Sequence, residues 1–168
     1  VAEITHAHDL GVGIFSVDDL DELDKLTRHA PGSRVLGRLN TEGAAAAWPL
    51  SRKFGTDVAT CVQILRRALA NGHTVGATFH VGSQQSDPMS WDHAISEVAE
   101  VLAEIGLPAD HEFLVNLGGG LPGRLDDPTP ALAEFAAAIH HATTTYLDDP
   151  RVTYAIEPGR FLVADAGV

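Results

Sequence analysis

Three short stretches hold the groups from which a reaction site could be built: HVGS (His80 to Ser83), NLGGG (Asn116 to Gly120) and EPGR (Glu157 to Arg160). Gly118, Gly119 and Gly120 lack a Cβ, so their amide N–H groups can turn inward and approach an anion closely. Arg160, past the rigid Pro158-Gly159 turn, can offer a forked guanidinium to a phosphate. Glu157 ends the apolar run VTYAI, where a lone carboxylate would be costly to bury, so it needs a positive or proton-bearing partner. His80 presents a flat ring and Ser83 a hydroxyl. Competing readings are structural: the glycines as a flexible turn, His80 as a satisfied core residue, Glu157 and Arg160 as a simple ion pair. Gly118, Gly120 and Gly123 also satisfy GxGxxG. Against a dinucleotide turn, Pro122 breaks the helix start, the acidic LDDPTP intervenes, and no strand-end acid follows about 20 residues on.

Each stretch closes an apolar run that reads as a strand. GVGIFSV (11–17) is the first, bounded by glycine and rich in β-branched and aromatic residues. Ser16 can cap the helix that follows, Asp18, Asp19 and Asp21 favour its positive end, and Leu20, Leu23 and Leu26 share one face before Pro31-Gly32. RVLGRLN (34–40) is the second strand, ending in Arg38 and Asn40. The connection TEGAAAAWPLSRKFGTDV (41–58) is longer than an ordinary loop and is suspected of function. A helix over 60–70 puts Val62, Leu65 and Leu69 inward and Arg66 and Arg67 outward, and stops at Asn71-Gly72. Strand TVGATFHVGS (74–83), a helix over about 89–105 ending at Gly106, strand EFLVNL (112–117), a helix over 129–146 and strand RVTYAIEP (151–158) complete the order.

The pattern β-α-β-α-β-α-β-α-β with near-continuous apolar strands means a parallel sheet flanked by helices. An open doubly wound sheet and a (β/α)8 barrel both fit, and in both chemistry gathers at the C-terminal ends of the strands. At 168 residues the chain suffices for a domain with a real core; 45% hydrophobic and 20% charged residues exclude a disordered protein. Lys+Arg 11 against Asp+Glu 23 gives a net charge of −12, which disfavours nucleic acid and anionic membranes. No apolar run approaches the roughly 18 residues of a membrane span. The start VAEITHAHDL lacks a basic segment followed by an apolar one, so a cytoplasmic protein is expected. The single cysteine, Cys61, excludes an internal disulfide and any multi-cysteine zinc site, and is expected buried on a helix. His6, His8, His140 and His141 lack partners at metal-ligand spacing; no metal site is expected.

A ligand with a phosphate at one end and a basic ring nitrogen at the other would use all the strand-end groups, and pyridoxal 5'-phosphate has both. Glu157 would hold the pyridine nitrogen protonated, strengthening the electron sink. The glycine amides, Ser83 and Arg160 would grip the phosphate, and His80 would stack on the ring. A sugar-phosphate or dinucleotide-binding protein would explain the glycines but not HVGS together with EPGR.

In order along the chain, SRKFG (51–55), FHVGSQ (79–84), NLGGGLPG (116–123) and EPGRFLVADAG (157–167) resemble the fold-type III pyridoxal-phosphate decarboxylases of basic amino acids. Triple glycine followed by x-Pro, with PLSRKFG, is most similar to the ornithine/lysine branch, more than to diaminopimelate decarboxylases. The resemblance implies an alanine-racemase-like (β/α)8 barrel, a separate β domain and a homodimer with its active sites between subunits. It implies cofactor contacts from His80, Ser83, Gly118, Gly119, Gly120, Glu157, Pro158, Gly159 and Arg160, with His80 and Glu157 catalytic and Arg38 and Lys53 beside the cofactor. The implied activity is decarboxylation of L-ornithine to putrescine and carbon dioxide in polyamine biosynthesis. Lysine, diaminopimelate and a non-catalytic regulatory homologue are the alternatives.

Two departures stand out. Asn116 occupies a position where many relatives carry Asp. The Schiff-base lysine of an early barrel strand has no match, because Lys25 falls mid-helix and Lys53 in SRKFG; the cysteine and aspartates of the β domain are missing too. Five strands do not close an eight-stranded barrel, which takes about 250 residues. Residues 1–168 are therefore expected to be an incomplete barrel domain within a longer decarboxylase.

Overall fold

The five expected strands form and lie side by side in one parallel sheet. The computed structural model describes residues 1–41, 45–48, 53–123 and 129–166. Helix α1 (Ala2–Asp9) leads into β1 (Ile14–Val17), α2 (Leu20–His29), β2 (Arg34–Arg38) and β3 (Ala46–Trp48). Then follow α3 (Val58–Ala70), β4 (Thr74–Thr78), β5 (Ser83–Gln85), α4 (Ser90–Ile105) and β6 (Phe113–Asn116). Helix α5 (Leu132–Tyr146), β7 (Val152–Ala155), α6 (Gly159–Val163) and a 3-10 turn over Ala164–Ala166 complete the order. No helix among the described residues is long and apolar enough to cross a membrane.

The order in the large sheet, β1-β2-β4-β6-β7, adds each new strand beside the last. A doubly wound sheet would reverse direction at a switch point and carry helices on both faces. Here α1 packs on α2, α2 on α3, α3 on α4 and α4 on α5, a single outer layer. Val35, Val75, Ala77, Phe113 and Val115 fill the helix-covered face and are fully buried. Leu36, Gly76 and Leu114, one residue out of phase, share the other face. Sequential order with helices on one face is the geometry of a barrel sector.

Local chemistry sets the element ends. The cap of α2 is Asp19, whose carboxylate accepts from the Asp21 N–H at 2.7 Å, and not Ser16. Ser16 is held within β1, paired with Leu36, and so lies too early to reach the helix. Asp18 does not serve the helix end either: it accepts from the Gly55 N–H at 2.8 Å and so pins the chain after β2. Asp57 caps α3 through the Thr60 N–H, which starts that helix at Val58, not at 60. Cys61 is buried on α3, and burial pushes its thiol up to about 12, so it is chemically inert at neutral pH. The expected strand over 74–83 is two elements, since β5 leaves the large sheet and pairs antiparallel with β3. The connection over 41–58 thus contains a strand. The residues Pro49, Leu50, Ser51 and Arg52 of PLSRKFG, and 124–128 of the acidic stretch, lie outside the described residues.

Candidate functional site

The register levels the strand tips. Arg38 pairs with Thr78, Thr78 with Asn116, and Asn116 with Ala155, so the chain beyond each tip emerges along one rim. His80, Gly118 to Gly120 and Glu157 follow within a few residues of these tips.

The glycine turn is wedged between its neighbours. Gly118 has φ +64 and Gly120 φ +118, in the left-handed region that favours glycine. A Cβ at Gly118 would collide with the Phe79 carbonyl oxygen, and one at Gly120 would lie 2.6 Å from the Gly82 carbonyl oxygen. A Cβ at Gly119 would stand 2.8 Å from the Glu157 carbonyl oxygen and 3.0 Å from His80 Nε2, so the turn touches both flanking tips. The Trp91 indole N–H, buried against Phe135, donates to the Leu117 carbonyl at 3.2 Å and fixes the entry. Among the described residues no acceptor meets the N–H of Gly119 or Gly120, which leaves two adjacent free donors.

Glu157 joins the turn twice. Its N–H donates to the Gly118 carbonyl at 2.9 Å. Its Oε1 accepts from Asn116 Nδ2 at 2.6 Å, while Asn116 Oδ1 accepts from the Gly118 N–H at 3.0 Å. Asn116, read from sequence only as a departure at this position, is thus a bridge between the glycine turn and the carboxylate. Glu157 and Arg160 form no ion pair with each other, so the simple-pair reading of EPGR is overturned: the donor on Glu157 is a neutral amide.

His80 is half-buried. Its Nδ1 accepts from the Gly82 N–H at 3.0 Å, which puts the proton of the neutral ring on Nε2. Burial and the positive charge of Arg38 push its pKa down, while Glu157 acts in the opposite direction. A flat, uncharged imidazole beside the glycine turn results. Thr41 Oγ1 donates to the His80 carbonyl at 2.6 Å and ties the tip of β4 to the chain after β2.

At the other flank, Arg160 sits in α6, its Cγ 3.5 Å from where a Cβ of Gly123 would be. Ser83 opens β5 opposite Trp48 of β3. Gln84, at φ +53, grips Gly123 in both directions: its Oε1 accepts from the Gly123 N–H at 2.8 Å and its Nε2 donates to the Gly123 carbonyl at 3.2 Å. The Gln85 N–H donates to the Gly120 carbonyl at 2.9 Å. Arg38 lies over the Phe54 ring at 4.8 Å, at the β2 tip. Lys53 is exposed in the turn pinned there by the Leu39–Thr56 bridge. Pro158 caps α6, and the Gly159 N–H turns back to the Glu157 carbonyl at 2.8 Å.

His80, the glycines, Glu157 and Arg160 therefore share one rim, with Arg38 and Ser83 beside them. Trp48, Phe54 and Gln84 were given no role from sequence. Phe54 and Gln84 lie within SRKFG and FHVGSQ, and only the long connection over 41–58 hinted at Trp48.

Comparisons with known proteins place this arrangement among others. Residues 1–164 match the family model described as pyridoxal-dependent decarboxylase, pyridoxal binding domain. The chain is 33% identical over 171 residues to ornithine decarboxylase of Mus pahari, covering 99% of this chain and 36% of that protein. It is 32% identical over 171 residues to antizyme inhibitor 2 of Xenopus laevis, covering 99% of this chain and 37% of that one. The lysine/ornithine decarboxylase of Vibrio vulnificus, solved with putrescine, superposes with a TM-score of 0.79 at 30% identity, over 96% of this chain and 42% of that one. This chain spans less than two fifths of the length of the two curated relatives.

Proposed function

The chain belongs to the pyridoxal-dependent decarboxylases through their pyridoxal binding domain, and from this we propose that it holds pyridoxal phosphate in an enzyme that decarboxylates a basic L-amino acid, ornithine first. The rim fits such a group. Two unpaired glycine amides and the Arg160 guanidinium suit a phosphate, and a Cβ at Gly118 would strike the Phe79 carbonyl, so the turn holds this shape only with glycine there. Glu157 spends one oxygen on Asn116, and its other oxygen has no partner among the described residues. The observation that carries the reading is this bridge: the carboxylate for a ring nitrogen and the donors for a phosphate are tied to one another through Asn116 and Gly118.

In this reading Gly119, Gly120, Ser83 and Arg160 bind the phosphate, Glu157 holds a proton on the ring nitrogen, and His80 lies against the ring. Pro158 and Gly159 set the turn that separates Glu157 from Arg160, and Arg38 and Lys53 stand beside the cofactor. A neutral His80 suits stacking on a ring kept protonated by Glu157, since it adds no second positive charge. When bound, the cofactor supplies an acceptor for the electron pair left on the α-carbon as the carboxylate departs as carbon dioxide. A proton then replaces the carboxylate, and ornithine becomes putrescine.

We read the five strands as a sector of an eight-stranded barrel in a longer cytoplasmic homodimer of polyamine biosynthesis. Tyr154 and Ile156 near β7 and Ile14 of β1 are exposed along edges that closing strands would cover. The likeness to antizyme inhibitor 2 supports a second reading, a non-catalytic regulatory homologue. The retention of His80, Glu157 and Arg160 on one rim favours catalysis. The test is incubation of the protein carrying this chain with L-ornithine, L-lysine or diaminopimelate, following diamine and carbon dioxide. Putrescine from ornithine is expected. No product from any of the three, with pyridoxal phosphate bound, would overturn the ornithine reading, and no product from L-arginine either would favour the regulatory one.

A further inference from the structure

Trp48 belongs to neither the strand tips nor the core, yet it meets the one guanidinium to which the phosphate reading gives a role. It is the last residue of β3, a three-residue strand inside the long connection over 41–58, and it is exposed. Its ring lies beneath Arg160 Cζ at 5.4 Å from the centroid, a cation–π distance. Its backbone pairs directly opposite Ser83. The same two-stranded sheet is locked to the glycine turn, through the Gln85 N–H on the Gly120 carbonyl and the two bonds of Gln84 to Gly123.

Without a support, Arg160 would be a long side chain on a five-residue helix, with no carboxylate paired to it among the described residues. Ordering such a chain on binding costs side-chain entropy, which a pre-existing stack removes in advance. A cation–π contact uses none of the guanidinium N–H groups as conventional hydrogen-bond donors to a carboxylate, so they stay available to an anion.

We propose that Trp48 is a positioning residue that holds Arg160 in place over the anion cup formed by Ser83 and the glycine turn. The inference rests on the reading of that cup as a phosphate site. It sets the role of β3 and β5: the small sheet is a platform that brings an aromatic support, a hydroxyl and two glutamines to the phosphate end.

The test uses the protein carrying this chain and two probes, inorganic phosphate and pyridoxamine 5'-phosphate, which needs no lysine adduct. Affinities are measured by calorimetry for the wild type and for Trp48→Leu, Trp48→Phe, Arg160→Ala and the Trp48→Leu/Arg160→Ala pair. Trp91 is buried, so its near-ultraviolet signal reports that each variant is folded. Trp48→Leu is expected to weaken both probes by a factor of roughly 3 to 30, the range of one cation–π contact, and Trp48→Phe to restore most of it. In the Arg160→Ala background the Trp48 change is expected to have no further effect, and Arg160→Ala alone is expected to shift the emission of Trp48. Equal affinity in Trp48→Leu and the wild type would overturn the proposal and leave the phosphate reading standing. An equal loss in the presence and absence of Arg160 would also overturn it, assigning Trp48 a merely structural part. A wild type that binds neither probe would overturn the phosphate reading and this inference with it.

Discussion

Replacing Asn116 by Asp exchanges a donor for an acceptor at the bond to Glu157 while leaving the acceptor for the Gly118 N–H in place. The native pair lies 2.6 Å apart, so the variant sets two carboxylates face to face. Two unit charges relaxed to about 4 Å repel by about 1 kcal/mol in water, the appropriate limit for an exposed Glu157. Losing the hydrogen bond adds about 1 kcal/mol. A loss of about 2 kcal/mol lowers the melting temperature of a chain of this size by about 4–8 °C. The assay is thermal unfolding by circular dichroism at pH 8 and pH 5 for Asn116→Asp, Glu157→Gln and the pair together. At pH 8 the single Asn116→Asp variant should melt lower by that amount, and the deficit should shrink at pH 5, where one proton can bridge the two carboxylates. Adding Glu157→Gln should restore the melting temperature, since the Gln amide can donate to the newly introduced carboxylate and the bond is re-formed with its direction reversed. Strictly additive effects in the pair, or a single variant that melts within about 1 °C of the wild type, would refute the bridge.

His80 gives a pH dependence of known sign. Burial and Arg38 lower its folded-state pKa, so the unfolded chain takes the proton first; stability is full above the unfolded value of about 6.5 and falls as pH drops toward the lower folded value. Unfolding free energy should decline below about pH 6.5, less steeply in His80→Gln, and in Arg38→Ala the ring proton should titrate at higher pH in nuclear magnetic resonance. An Arg38→Ala titration that moves down or stays put would contradict the arrangement. Gly118→Ala should destabilise the chain by at least about 1–2 kcal/mol, from its left-handed φ alone, and more from the clash with the Phe79 carbonyl. It should also abolish binding of pyridoxamine phosphate, whereas a variant that melts and binds like the wild type would show that the turn is not wedged as described.

Much of the sheet was legible because strands buried in a parallel sheet read as apolar runs, and GVGIFSV, RVLGRLN and EFLVNL are such runs. The choice between barrel and doubly wound sheet was not legible from periodicity. It depends on the side of each strand taken by its neighbour, which local sequence does not encode. The small sheet was missed for a different reason. AAAAW has the composition of a helix, and β3 forms only because Trp48 and Ala46 find Ser83 and Gln85, far along the chain. Ser16 looked like a cap because spacing alone cannot show that its backbone is already paired in β1. At the site, the strand-end groups were legible as a set because polar and glycine residues abruptly follow apolar strands. Their partners were not. Asn116 read only as a departure from the Asp of many relatives, and its amide has one end on Glu157 and the other on Gly118. Trp48 offered no spacing to any motif.

The central claim is that the rim clasps one flat phosphorylated ring at both ends. A crystal structure of the protein carrying this chain with pyridoxamine 5'-phosphate tests it directly. The account predicts the phosphate on the amides of Gly119 and Gly120 and the Arg160 guanidinium, the ring nitrogen within hydrogen-bond distance of the free Glu157 oxygen, and His80 against the ring face. A phosphate bound away from the glycine turn, or a ring nitrogen directed away from Glu157, would contradict it.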